Sequence, residues 1–231
     1  MPKPFDATLK DLVRHDPLDW AVGLDDPSAR RARVLTPDLS TRTAFADLVL
    51  EVGRHLLHLE FQSSPDPDLP RRVFLYNALL HHHYGRPVHS VVVLLRPRAD
   101  RGDLTGRLSY AVHPVRGGID FRSEVVRLWQ WPAAELLIAP HSMVPLAVLG
   151  RLPAGLPREE GLADVIRRME ERLMHEAPGR ASDLLGAAYI LVGAIVPRTT
   201  ANRLFLGVPA VMESSTYRGL LQDGAINQAR K

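Results

Sequence analysis

Hydrophobic residues near the N-terminus recur at intervals of three and four, which is the spacing of one helix face. They are Phe5, Leu9, Leu12 and Val13. This period predicts an amphipathic helix, which Pro17 ends or interrupts because proline lacks the amide hydrogen that a helix interior uses. We expect a turn at residues 25–27, where two aspartates precede a proline, and a short strand at residues 33–36.

Two apolar runs flank a glycine in the next part of the chain. The runs cover residues 46–52 and 56–62, with Gly53 and Arg54 between them, and they predict a β-hairpin. Successive strand residues point to opposite faces, so the second strand has a polar face and an apolar face. The polar face carries His58, Glu60 and Gln62, and the apolar face carries Leu57, Leu59 and Phe61.

The pattern then predicts one helix and three strands. The helix is expected at residues 71–84, and one stripe of it carries Val73, Tyr76, Asn77 and Leu80. The strands are expected at residues 90–95, 108–113 and 119–129. The first of these strands is a continuous β-branched run, which is typical of a strand buried on both faces.

Helical patterns dominate after about residue 150. They cover residues 162–175, 182–196, 199–206 and 212–230. The stretch 187–196 is so apolar that we expect it to be buried against the sheet or against a partner chain. The chain stops inside the last helical pattern, so we expect the natural protein to continue past Lys231.

Helices and strands alternate in the first part of the chain, and helices alone follow. This order predicts an α/β fold in which a mixed central sheet is flanked by helices. We expect residues 1–150 to form this core, including its additional strands. Residues 151–231 are expected to form a helical C-terminal region that packs on the core or forms an oligomer interface.

Composition excludes several kinds of site. The chain has 231 residues and no cysteine, which excludes disulfides, thiolate zinc sites and a cysteine nucleophile. The N-terminus is polar and has no apolar run of the kind that a secretory signal needs. The most apolar stretch, residues 187–196, is about half as long as the ~20 residues that cross a bilayer. We therefore expect a cytoplasmic protein with no membrane partner.

The basic residues are almost all arginine. The chain has 26 Arg and 3 Lys, and its formal net charge is +3. Arginine binds phosphate through two parallel hydrogen bonds, so an arginine-rich surface suits a nucleic-acid partner. A GC-rich genome, which favours arginine codons, explains the same composition.

Two carboxylates lie in the predicted hairpin. Asp47 begins one strand, and Glu60 lies in the other. Neighbouring strands are ~5 Å apart, so both carboxylates reach one point if they share a face. Two carboxylates and a backbone carbonyl form a hard oxygen site that suits Mg²⁺, and such an ion lowers the pKa of a bound water. The spacing alone fits equally well two polar residues on a solvated sheet face.

These residues belong to a longer set of motifs. Asp47, the strand that ends at Ser63 and the segment 68–76 after it resemble the Rpn/YhgA-like family. This family consists of recombination-promoting nucleases, also described as transposases, within the PD-(D/E)XK superfamily. Segments 5–10 and 212–217 are also similar to motifs of that family. The resemblance covers residues 5–100 well and the rest of the chain loosely.

The resemblance implies a restriction-endonuclease-like core and an activity that depends on Mg²⁺ or Mn²⁺. It implies that Asp47 and Glu60 hold the metal, with the Phe61 carbonyl as a further ligand. Gln62 stands where most of the superfamily has lysine. A glutamine orients a water through its amide but carries no charge and accepts no proton, so more of the activation of the nucleophile falls on the metal.

Several other residues are weaker candidates. Asp6 is either an additional acid of the site or a residue that favours the helix start through the helix dipole, and Asp38 is a further acid or a turn residue. Arg71 and Arg72 either bind phosphate or lie on a solvated helix N-terminus. Tyr76 is expected to be packed rather than catalytic.

Histidine and tryptophan residues near the motifs are expected to serve the fold. His81, His82 and His83 are adjacent, and adjacent helical residues point about 100° apart, so they do not converge on one ion. We interpret them as surface residues at a helix end. His58 is expected to support the site or to pack beside it. Trp129 and Trp131 are expected to anchor packing, although they would also stack on bases.

The resemblance and the carboxylates together predict a metal-dependent endonuclease that hydrolyses DNA and is linked to recombination or mobile elements. The alternative is a catalytically inactive module that kept the fold and binds DNA or another protein. Cleavage of RNA has no sequence feature for it or against it. A homodimer would let two sites cut both strands of a duplex.

Overall fold

The computed structural model of this chain describes residues 4–35, 48–113 and 117–208. Asp38, Asp47 and the predicted helix at residues 212–230 lie outside the described residues. The chain divides into two compact units, one spanning Asp16–Leu128 and one formed by the residues on either side of that range. Compactness does not by itself mark a functional domain, so the predicted division at residue 150 stays a prediction.

The unit Asp16–Leu128 contains a five-stranded mixed sheet and two α-helices among its described residues. The helices are α2 (Pro17–Leu24) and α3 (Leu69–Tyr84), and the strands are β1 (Ala32–Leu35), β2 (Leu48–Val52), β3 (His55–Gln62), β4 (Val88–Leu94) and β7 (Glu124–Arg127). The strand order is β1-β2-β3-β4-β7, with antiparallel pairs up to β3 and parallel pairs after it. The predicted α/β fold with a mixed sheet and helices is confirmed.

The register of the strands places β3 at the centre of this sheet. Leu48 of β2 lies opposite Leu59, and on the other side β3 runs parallel to β4, with Gln62 opposite Leu94. The turn between β2 and β3 needs a left-handed backbone, which Gly53 supplies with φ 52°. The predicted hairpin is therefore confirmed, and β3 is flanked by strands on both sides.

Both faces of β3 are covered. Residues of α3 contact the face that carries His58 and Glu60. On the opposite face, Phe61 packs edge-on against Trp20 of α2, with ring centroids 5.7 Å apart. The stripe predicted for α3 faces inward, since Val73, Tyr76 and Leu80 are buried. The face with Glu60 is therefore not solvated, which removes the alternative that this residue is an ordinary polar surface residue.

The strand predicted at residues 119–129 is wrong in its extent. The structure has two strands there: β6 (Gly117–Arg122) pairs with β5 (Arg107–His113) in a separate hairpin, whereas β7 joins the main sheet. The break falls at Ser123, whose backbone N–H donates to Gly106 O at 2.7 Å. A Cβ on Gly106 would come within 2.4 Å of Ser123 O, so the close approach that divides the strands requires glycine at this position.

The second unit is helical. Its helices are α1 (Pro4–His15), α4 (Ala133–Leu137), α5 (Arg158–Glu176), α6 (Pro178–Val192) and α7 (Arg198–Phe205), with a 3-10 helix at His141–Leu149. Residues 187–192 of α6 are at most 8% exposed, whereas Gly193 is exposed and Ile195 and Val196 are partly exposed, so burial is confirmed for the first part of the stretch 187–196, and α6 packs there on helices of its own unit. Of the helices in the described part of the chain, none has the length and apolar character that spanning a bilayer requires.

A cluster of histidines and carboxylates lies where the parallel strands begin. Asp25, just after α2, contacts His55 Nε2 at 2.5 Å and His89 Nδ1 at 2.6 Å. His89 Nε2 lies 3.3 Å from Glu124 Oε2. The hydrogen bond to Asp25 raises the pKa of His89 although burial opposes it. Burial alone would raise the pKa of Asp25, but its hydrogen bonds to the two histidines lower it.

This cluster makes stability depend on pH. Because the pKa of His89 is higher in the folded state than its ordinary value of 6.5, its contribution is fully present below that value and is lost as the pH rises through the raised pKa. We therefore expect His89→Gln to lower the free energy of unfolding more at pH 6 than at pH 9. The difference should be on the order of 1 kcal/mol or less, because the side chain is partly exposed.

Urea unfolding at both pH values measures this difference. His82→Gln is the control, since His82 is exposed at the end of α3, and it should have the same small effect at both pH values. An equal loss of stability at pH 6 and pH 9 for His89→Gln would contradict the prediction.

Candidate functional site

Glu60 is a buried carboxylate in the central strand. It lies in β3 and is 3% exposed, with β2 on one side and β4 on the other. A charged side chain at such a position is costly unless it is paired and hydrogen-bonded. The groups around Glu60 must therefore compensate its charge.

Arg72 from α3 supplies the compensating charge. Its Nε and Nη2 donate to Glu60 Oε1 at 2.9 and 2.6 Å, and its Nη1 donates to Asp66 Oδ2 at 2.5 Å. Burial opposes the charge of Arg72, but the hydrogen bonds and charges of Asp66 and Glu60 outweigh it and raise the pKa of Arg72. This arginine is thus a permanent cation that joins two carboxylates.

Gln62 lies two residues after Glu60, on the same face of β3. Its side chain is partly buried, and Nε2 donates to Ser64 O at 2.7 Å. That hydrogen bond fixes the amide plane, and the amide oxygen is then the group with which Gln62 accepts a hydrogen bond. The amide oxygen of Gln62 can accept a hydrogen bond from a water, but the side chain has no basic nitrogen with which to remove a proton.

A polar network of Asn77, Ser90 and His58 lies between α3, β3 and β4, and its Ser90 and His58 members are buried. Asn77 Nδ2 donates to Val88 O at 2.9 Å and to Ser90 Oγ at 3.0 Å. Ser90 Oγ lies 3.2 Å from His58 Nδ1, and the His58 ring meets that of Tyr76 edge-on with centroids 5.7 Å apart. Burial, aided by the charge of Arg72, lowers the pKa of His58 to about 4, so the imidazole is neutral at neutral pH.

The position of the proton on His58 follows from its neighbours. A neutral imidazole carries one N–H, and His58 Nε2 lies 3.8 Å from Glu60 Oε2. A proton on Nε2 faces the carboxylate favourably, whereas a lone pair there would repel it. Nδ1 is then the acceptor, and the Ser90 hydroxyl donates to it. The 3.8 Å between His58 Nε2 and Glu60 Oε2 is longer than a hydrogen bond, so His58 packs beside Glu60, and a role in supporting the site stays a prediction.

The roles of Ser90 and Asn77 in this network were not predicted from the sequence. Each carries a signal that was present in the chain: Ser90 is a hydroxyl directly before an unbroken apolar run, and Asn77 is an amide in a stripe of buried residues. A polar residue in such a pattern needs a hydrogen-bond partner. The partners themselves lie 13 and 32 residues apart in sequence, so the pattern alone did not identify them.

The other predicted site residues have different surroundings. Asp47 lies outside the described residues, so its distance from Glu60 stays a prediction. The Phe61 side chain is 7% exposed and packs on Trp20, and the role of its carbonyl also stays a prediction. Asp6 pairs with Lys10 at 3.0 Å within α1, which belongs to the helical unit. Arg71 is exposed on α3.

Two predictions about side chains near the site are confirmed. Tyr76 is buried at 6% exposure, as expected of a packed residue. His81, His82 and His83 are exposed at the C-terminal end of α3. His81 Nδ1 lies 2.7 Å from Arg86 O, which fits a surface residue rather than a metal ligand.

The donor groups of the site fit a hard cation only in part. A glutamate carboxylate is a suitable ligand for Mg²⁺, but Oε1 of Glu60 already accepts two hydrogen bonds from Arg72. Within residues 4–35, 48–113 and 117–208, no group of three or more His, Asp or Glu side chains is arranged to hold a metal ion. Binding of Mg²⁺ or Mn²⁺ therefore stays a prediction that depends on Asp47.

Comparison of this chain with family models, with curated proteins and with solved structures gives no match. Membership of the Rpn/YhgA-like family thus stays a prediction from the motifs around Asp47, Glu60 and Gln62.

Proposed function

We propose that this chain is a metal-dependent endonuclease with a PD-(D/E)XK core, which hydrolyses phosphodiester bonds in DNA during recombination or the movement of mobile elements. The observation that supports this most is the burial of Glu60 in the central strand, next to an oriented Gln62. Burial of a carboxylate costs free energy. The chain nevertheless has Glu60 rather than an apolar residue at this position, and Arg72 compensates its charge.

Each residue of the site has a role in this proposal. Glu60 would hold the metal together with Asp47 and the Phe61 carbonyl, and the metal when bound supplies acidity to a water and charge stabilisation to a phosphoryl oxygen. Gln62 orients that water through its amide oxygen. His58, which is neutral and buried beside Glu60, adds no competing positive charge to the site. Arg72 neutralises Glu60 in the absence of a cation.

A second function is favoured by the same ion pair. Arg72 already compensates the charge of Glu60, and Gln62 carries no charge where a lysine would. A site of this kind is stable without any metal, as expected of a catalytically inactive module that binds DNA or another protein. The two functions differ in whether the protein cleaves.

Incubation of supercoiled plasmid with the purified protein distinguishes them. We expect nicked and linear DNA in Mg²⁺ or Mn²⁺, and intact plasmid when EDTA is added, because the charge stabilisation is lost with the cation. A labelled RNA in a parallel reaction determines whether cleavage is specific to DNA. Intact plasmid in both metals, or cleavage of the RNA alone, would contradict the proposal.

A further inference from the structure

Arginine side chains gather at the end of the sheet where β2 turns into β3. Arg33 Nε donates to Glu51 Oε2 at 2.5 Å, and Arg86 Nη1 donates to Glu51 Oε1 at 2.7 Å. Arg86 Nη2 also donates to Gly53 O at 2.8 Å, and Arg54 is the next residue of that turn. Two arginines from different elements therefore share one carboxylate, and a third arginine adjoins them.

The residues before β1 extend this group. Ala32 lies opposite Val52, so the two arginines that precede Ala32 lie at the same end of the sheet as the turn. Four of the arginines are exposed and the one before β4 is partly exposed. We call this surface the basic patch, and it consists of Arg30, Arg31, Arg33, Arg54 and Arg86.

The basic patch concentrates positive charge. Its five arginines and Glu51 give a formal charge of +4, whereas the whole chain carries only +3. The loop before β1 adds Asp25 and Asp26, and the histidines His55 and His89 beside Asp25 offset part of that negative charge. The arginines still outnumber these carboxylates by five to three. Such a cluster of like charges creates a positive potential that attracts a polyanion.

The composition of the basic patch favours a nucleic acid over a protein or a bilayer. Protein interfaces have an apolar core inside a polar rim, and segments that lie on membranes insert apolar side chains. In residues 4–35, 48–113 and 117–208, no exposed large hydrophobic side chain adjoins a patch residue in sequence. Exposed arginines without an apolar core are suited to the sugar-phosphate backbone, since each guanidinium binds a phosphate through two parallel hydrogen bonds.

The basic patch and the candidate site lie at opposite ends of one strand. β3 runs from His55, next to the turn, to Gln62, which is about 23 Å at ~3.3 Å per residue. This length corresponds to about seven base pairs of a duplex. Glu51 lies opposite Leu56 and therefore shares the sheet face of Glu60. A duplex that reaches the site along this face is long enough to reach the basic patch as well.

We propose that the basic patch binds backbone phosphates of the DNA, about seven base pairs from the segment that lies over Glu60 and Gln62. This inference rests on the proposed function, since it names a second contact for the same substrate. Phosphate contacts position a duplex without reading its sequence. The basic patch would therefore hold the duplex in register with the site whatever the base sequence.

The test is the affinity for a fluorescein-labelled duplex of about 20 base pairs, long enough to span both surfaces. Fluorescence anisotropy measures it in Ca²⁺ at several KCl concentrations. The patch variant combines Arg30→Gln, Arg31→Gln and Arg54→Gln, which spares the ion pairs of Arg33 and Arg86. It should bind more than about tenfold more weakly at low salt. The slope of log K against log salt should become shallower by about 2.7, at ~0.9 for each phosphate contact.

The matched control combines Arg158→Gln, Arg167→Gln and Arg168→Gln on α5. It removes the same charge from exposed positions of the second unit and should leave the slope unchanged. Replacing the three substituted patch residues by lysine instead keeps the charge and should also keep the slope.

Circular dichroism and thermal unfolding establish that each variant is folded. Arg54→Gln alone is the second variant if the patch variant does not fold. A single lost contact should make the slope shallower by about 0.9, and an unchanged slope would count against the inference.

The outcomes separate the inference from the proposed function. If the wild type cleaves plasmid and the patch variant binds the duplex with the wild-type slope, the inference is wrong and the endonuclease proposal stands. If the wild type binds through the basic patch but does not cleave, the inference stands and the inactive DNA-binding module is favoured. An equal loss of affinity in the patch variant and the α5 control would reflect net charge alone and overturn the inference. Binding of the wild type to phosphatidylserine vesicles but not to the duplex would also overturn it.

Discussion

Glu60→Gln is expected to reduce DNA cleavage by more than about 100-fold. The substitution keeps the size of the side chain but removes the negative charge that would hold a cation. Changes in residues that only support metal ligands already cost 10–100-fold in activity or affinity, so loss of a ligand should cost more. The measurement is the initial rate of plasmid nicking at saturating Mg²⁺ with equal amounts of folded protein.

Two variants serve as comparisons for Glu60→Gln. Gln62→Ala should retain weak activity, since an orienting hydrogen bond is worth ~0.5–1.5 kcal/mol, or about tenfold in rate. Gln62→Lys should be tolerated or more active, because it supplies a charge near the reacting phosphate. Asp66→Asn removes the other partner of Arg72 and should leave cleavage nearly unchanged. Equal cleavage by wild type and Glu60→Gln would indicate a contaminating nuclease and favour the inactive module.

Arg72→Met is expected to lower the free energy of unfolding by about 3 kcal/mol, because breaking a buried ion pair leaves an uncompensated charge. The Glu60 side chain is only 4% exposed, so water does not replace the lost guanidinium. The double variant Glu60→Met with Arg72→Met should be more stable than Arg72→Met alone, since replacing both partners by apolar groups is often neutral or stabilising. Urea unfolding of the two single variants and the double variant measures the coupling.

An exposed ion pair of similar geometry is the control. Arg33 Nε contacts Glu51 Oε2 at 2.5 Å, but the Arg33 side chain is 74% exposed. Arg33→Met should therefore cost clearly less stability than Arg72→Met, because solvent screens the charge that remains. Similar losses for the two variants would show that the pair at Glu60 is not protected from water, contrary to its burial in the structure.

The helix and the strands around the site could be predicted because each has its own pattern of polar and apolar residues within a short stretch of sequence. Alternation of polar and apolar residues in β3, the stripe of α3 and the β-branched run of β4 each reflect burial of a single element. The break at Ser123 was not predicted, because it depends on the approach of Gly106, 17 residues earlier. The spacing of hydrophobic residues within one strand carries no information about a contact with a distant residue.

The candidate site was predictable in residue type but not in environment. The motif identified Glu60 and Gln62, and the alternation placed them on one face. Whether that face is solvated depends on α3, which folds back over β3 and brings Arg72 to Glu60. The roles of Ser90 and Asn77 depend on the same packing. Contacts between elements, rather than propensities within them, therefore decide the charge state and orientation of the site.

The described residues of the site lie in one contiguous segment of the chain, β3–α3–β4. This arrangement affects the order in which the elements fold. The segment from His55 to Leu94 carries Glu60, Gln62, Arg72 and the polar network of His58, Asn77 and Ser90. Pairing of β3 with β4 closes one short loop through α3, and short loops close at a lower cost in chain entropy than long ones. We expect this unit to form before β1 and β7 add to its edges. Substitutions within the unit should then slow folding more than they speed unfolding, so that loss of function and slow maturation occur together in the same variants.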